Sequence, residues 1–139
     1  MDYTTVESIK DRFYSLIVSG ESLPAGLVNV WFESAKGEFE LELDKELTES
    51  TINQPDGEGG ADEIKVIAPK LSSAEKSLLG RYMQKEFITR ELSKFAKVTG
   101  IDSKDEKVSG LQATKYTLIS ELNIAETAIA ELVSKIKGI

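Results

Sequence analysis

Leucine or alanine returns every seven residues near the end of the chain, at Leu111, Leu118, Ala125 and Leu132, with Leu122, Ile129 and Ile136 interleaved at the complementary spacing and Lys115 the one break. Because an α-helix turns every 3.6 residues or so, a seven-residue repeat keeps its apolar side chains in one stripe. The spacing predicts a helix from Leu111 to Lys137, roughly 40 Å long at about 1.5 Å per residue. Such a stripe has to be covered. The nearest cover is the helix expected over 73–98, which would make an αα-hairpin. Ile119, Ala128 and Val133 lie beside the seam and offer a second contact, to another subunit.

The start of that preceding helix is written into the sequence. Ser72-Ser73-Ala74-Glu75 matches a capping box, in which the serine accepts from the third helical amide and the glutamate reaches back to the cap. Leu78, Leu79, Tyr82, Met83, Phe87, Ile88, Leu92 and Phe95 then fall on one face, Lys and Arg lie on the other, and Gly100 suits the left-handed position after a helix end. A polar link follows at Asp102-Ser103-Lys104-Asp105.

Two amphipathic helices are expected earlier. Val6, Ile9, Phe13, Leu16 and Ile17 recur at helical spacing ahead of Gly20, and Leu27, Val28, Trp31, Phe32, Ala35, Phe39 and Leu43 continue the pattern after a start at Ser22-Leu23-Pro24. Trp31 sits where a core residue belongs, although tryptophan can also anchor a partner. Glu38 to Leu43 alternates with period two, so a short strand could replace the last turns of the second helix.

Residues 46–63 contain Pro55-Asp56-Gly57 and few apolar side chains, and read as a mobile acidic loop; if subunits assemble, 48–63 is expected to order only then. Asp56, Glu58, Asp62 and Glu63 match neither the length nor the order of an EF-hand loop, and Gly57, Gly59 and Gly60 lack the lysine and flanking elements of a phosphate loop. Glu63 to Pro69 is β-branched and alternating, one strand or extended arm. It pairs either with 38–43 or with the sheet of a neighbouring subunit, so Ile64, Val66 and Ile67 join Ile119 and Val133 as candidate interface residues. The fold expected is therefore mainly α: a helical bundle with a long C-terminal αα-hairpin, a short strand near 63–69, and one domain over 1–139.

The chain has neither cysteine nor histidine. That removes disulfides, thiolate chemistry, the commonest metal ligand and the commonest general base near neutral pH. A carboxylate enzyme built on Glu33 and Glu40 is the remaining catalytic option, and an exposed acidic helix explains that pair more simply. Residues 1–62 hold 4 Lys+Arg against 14 Asp+Glu, and residues 63–139 hold 13 against 10. The halves carry opposite signs, which suits head-to-side assembly through complementary patches, and no basic stripe interleaved with aromatics points to nucleic acid. No apolar run is long enough for a bilayer and the first residues lack a signal-peptide pattern, so the chain is expected in the cytoplasm, away from membranes.

From Leu71 to Lys137 the order Leu71-Ser72-Ser73-Ala74-Glu75, Leu78-Leu79, Met83, Ser103-Lys104-Asp105 and a long closing helix resembles small structural proteins from the head-to-tail morphogenesis region of tailed phages and prophages of Gram-positive bacteria. The resemblance covers about half of the chain. It implies a non-enzymatic head–tail connector or neck subunit of the virion, assembled in the host cytoplasm into a homo-oligomeric ring between portal and tail, its partners being itself and neighbouring portal or neck and tail proteins. No cofactor, small-molecule substrate or sequence-specific nucleic acid enters that picture. The alternative is a cytosolic helical interaction module, a regulator or inhibitor that binds one partner through its C-terminal helix.

Overall fold

A computed structural model of the chain describes residues 3–17, 23–55, 57–99 and 106–138. In order, the elements are β1 (Thr4–Thr5), α1 (Val6–Leu16), α2 (Ala25–Leu43), β2 (Thr48–Pro55), β3 (Ala61–Ala68), α3 (Ser73–Thr99) and α4 (Glu106–Lys137). The protein is mainly helical, with a small antiparallel sheet of three strands in the order β1-β3-β2. The expected helix ends at Gly20 and Gly100, the Ser103-Lys104-Asp105 turn and the side chains of Phe95 and Leu111 lie outside the described residues.

α1, α2 and α3 each start where a side chain or carbonyl takes up free amides. Thr5 caps α1 by accepting from Ser8 N at 3.3 Å, and the carbonyl of Pro24 accepts from Leu27 and Val28 at the head of α2. Pro24 is thus the cap itself, one place earlier than a first-turn proline. At α3 the capping box closes in both directions: Ser72 Oγ accepts from Glu75 N at 3.2 Å, and Glu75 Oε1 accepts from Ser72 N at 2.9 Å.

α3 is the central element, with α1, α2 and α4 all packed on it. Trp31 is buried, as the helical stripe predicts, and meets Phe13 and Phe87 edge-on, with ring centroids 5.8 and 6.0 Å away. α4 contributes Ala125 and Val133 as fully covered residues, and Leu118, Leu122, Ile129, Leu132 and Ile136 pack against the same core from its rim.

In the N-terminal half the second helix runs to Leu43 as its apolar stripe predicts, while the strand alternative for 38–43 and the loop reading of 46–63 both fail. Residues 38–43 stay helical: Phe39 completes the buried stripe of α2, and the alternation is met by leaving Leu41 87% exposed. The helix ends at Asp44, in the left-handed region at φ 49. The acidic loop is the second correction. Thr48–Pro55 is a strand, paired with β3 from Thr48↔Ala68 to Pro55↔Ala61, so these residues are ordered within a single chain. β-Branched Thr48, Thr51 and Ile52 favour an extended backbone, and Gly57 and Gly59, at φ 83 and 87, supply the positive φ of the turn. The partner of 63–69 is accordingly β2 on one side and β1 on the other, with Thr4↔Ile67 and Thr5↔Val66.

Candidate interaction surface

The structure divides the five candidate interface residues. Val66 and Ile67 are buried in the centre of the sheet, and Val133 is buried against α3. These three side chains are taken up in the chain's own packing. Val66 and Ile67 are enclosed because β3 is the middle strand, a position the sequence could not reveal while β2 was taken for a loop. Ile64 is half-buried beside Thr5, Val6 and Lys10, and Ile119 is 36% exposed on α4.

What remains as a surface is the outer half of the β2–β3 pair. β1 covers only Val66 and Ile67, so among the described residues the edge of β3 from Ala61 to Lys65 has no strand beside it, and β2 has none along its outer edge. Both faces of this half are largely in solvent: Thr51, Asn53, Gln54 and Pro55 on β2 and Ala61, Asp62, Glu63 and Lys65 on β3 are exposed. Ile52 and Ile64, which face each other across the ladder, are its half-buried apolar pair. Unpaired strand edges carry rows of free N–H and C=O groups that can take another strand.

The surface is acidic. Residues 46–63 include six carboxylates and no lysine or arginine. Its root is fixed by ion pairs: Lys36 Nζ lies 3.4 Å from Glu49 and 3.5 Å from Glu33. Burial pushes the Lys36 ammonium down, but the two carboxylates outweigh it and hold its pKa above the ordinary lysine value. Glu40, the other half of the carboxylate pair at 33 and 40, accepts from Leu47 N at 3.0 Å. Both members of that pair therefore have structural bonds, and among the described residues no group of three or more carboxylates is gathered as metal ligands would be.

On α4 the exposed apolar residues are Tyr116, Ile119 and Ile124. At 100° per residue, Ile119 and Ile124 stand about 140° apart, on opposite flanks of the buried stripe. They do not join into one patch. Among the described residues no helix is long and apolar enough to cross a membrane. Compared with models of protein families, with curated proteins and with solved structures, the chain matches none.

Proposed function

We propose that this chain is a non-enzymatic structural subunit of a tailed-phage particle, a head–tail connector that assembles into a homo-oligomeric ring between portal and tail and contacts neighbouring portal or neck and tail proteins. The observation that carries this reading is the projecting β2–β3 pair, whose two unpaired edges suit strand addition from a neighbouring subunit. An edge that pairs with a different surface of the next copy makes a heterologous contact, and such contacts close into rings when the rotation permits. In this reading α3 and α4 form an αα-hairpin that serves as the body of the subunit. The opposite charges of the two halves of the sequence favour the same head-to-side arrangement.

Quantitative mass spectrometry of purified virus particles from the source organism tests the proposal. A connector is present at about a ring's worth of copies, far below the capsid protein. Absence from intact particles, with the chain abundant in cell lysate, rejects it. Exposed Tyr116 and Ile124 on α4 favour a second reading, the cytosolic interaction module, which forms a discrete one-to-one complex and never associates with particles.

A further inference from the structure

Away from the acidic strands, α1, α3 and α4 enclose an open cleft of about 430 Å³, lined by Arg12, Ser77, Arg81, Glu131, Leu132 and Lys135 among others. Three cations thus face one space in a chain of net charge −7. Among the described residues none of the three has a carboxylate within salt-bridge distance, Glu131 included. They are held instead by neutral oxygens. Arg12 donates to Ser77 Oγ at 2.6 Å, to Ser73 Oγ at 3.2 Å and to the Ser73 carbonyl at 3.4 Å. Arg81 donates to Gln84 Oε1 at 3.0 Å, and the buried Gln84 amide in turn donates to the Leu16 carbonyl at 3.4 Å.

A guanidinium has five N–H donors. Those bonds leave Arg12 two and Arg81 four, while among the described residues the Lys135 ammonium has no hydrogen-bond or ion-pair partner to share its three. The two arginines are fixed in place with charge and donors uncommitted, which is the arrangement that binds a compact, multiply charged oxyanion. α1 packs closely on α3 here: a Cβ at Gly80 would lie at contact distance, 3.4 Å from Arg12 Cβ and 3.5 Å from Phe13 N, where Arg12 crosses to the first turns of α3.

The geometry points to a phosphate-binding site in this cleft, with Arg12, Arg81 and Lys135 as ligands to the anion and Glu131 opposing them. It stands independently of the connector reading. The chemistry recognised is the phosphate group, whether from a small soluble phosphate or from a nucleic-acid backbone.

The test is a titration of the full chain with pyrophosphate at constant ionic strength, followed by amide chemical shifts. Saturable shifts are expected at residues 12–16, 77–81 and 128–135. Arg81→Gln and Lys135→Gln each weaken binding about tenfold, the scale of one charge-assisted hydrogen bond, and Glu131→Gln tightens it. Lys94→Gln, 13 residues further along α3 and so about 20 Å from Arg81, leaves it unchanged. Because Arg12 also ties α1 to α3, its variants are left out of the comparison. A short oligonucleotide without terminal phosphate that shifts the same amides more tightly than pyrophosphate assigns the phosphate to a nucleic-acid backbone; the reverse order assigns it to a small soluble phosphate. Shifts that spread over surface lysines, that survive both glutamine variants, or that succinate reproduces at equal concentration overturn the site.

Discussion

Glu75 lies in the first turn of α3, where burial pushes its carboxyl up, but hydrogen bonds from Lys45, at 2.7 Å, and from Ser72 outweigh that and hold the pKa below its ordinary value of 4.5. A depressed carboxyl gives stability that is present near neutral pH and disappears as the pH falls through its folded pKa. Glu38 is the opposite case. Burial raises its carboxyl, Lys85 lowers it by less, Glu86 adds to the rise, and among the described residues Oε2 has no hydrogen-bond partner. A raised carboxyl favours the fold below its unfolded pKa and opposes it as the pH climbs through the folded one. Melting curves near neutral pH should therefore separate the variants, Glu75→Gln melting below the parent and Glu38→Gln above it. The Glu38 difference should shrink first, as the pH falls through a folded pKa above 4.5, and the Glu75 difference only at lower pH, through a folded pKa below 4.5. Tyr82 is the alkaline counterpart: burial, then Glu42 and Glu38, push its phenol to about 12, so a phenolate absorbance step near that pH should be present in the parent and missing in Tyr82→Phe. At Gly80 the close approach of α1 leaves no room for a branched side chain. Gly80→Val should cost about 1–3 kcal/mol by overpacking, read from urea unfolding.

Among the elements, the helices were legible because their signals are local. The Ser72–Glu75 box, the stripe through Trp31 and the seven-residue seam each specify spacing within one segment, and burial follows them. β2 was missed for a physical reason. A strand exposed on both faces has no alternation of apolar and polar residues to reveal it, and only its β-branched residues and the Pro-Asp-Gly turn marked it. The cleft was illegible too, since Arg12, Arg81 and Lys135 belong to three helices and share no motif. Within the β2–β3 pair two predictions separate body from projection. Ile67→Ala, in the core, should destabilise by about 2–5 kcal/mol, while replacing 53–63 by an Asn-Gly turn leaves the Ile52–Ile64 pair and should move the melting temperature by less than about 4 °C. The shortened chain should fail to form the ring in light scattering. A ring that still assembles without 53–63 removes the strand edges from the proposed contact.

In the whole molecule, α3 is covered by helices from both ends of the sequence, and α4 closes it last. Removing 111–139 strips Ala125, Val133 and their partly buried neighbours from the core, so fragment 1–110 should show no cooperative melting by circular dichroism; a sharp transition would mean that α1, α2 and the sheet suffice. The sheet depends on distant contacts as well, because Thr4 pairs with Ile67 and accepts from Leu71 N at 2.8 Å. The open strand edges also bear on how the protein behaves in concentrated solution. Edges of this kind invite indiscriminate stacking into fibres, and like charge is a known guard against it. Asp62 and Glu63 lie along the exposed part of the ladder, so two copies brought edge to edge there repel one another. Neutralising these carboxylates, or screening them with salt, removes the barrier to open-ended polymerisation. The acidity of this stretch is then a condition of keeping the protein dispersed until a fitting partner arrives.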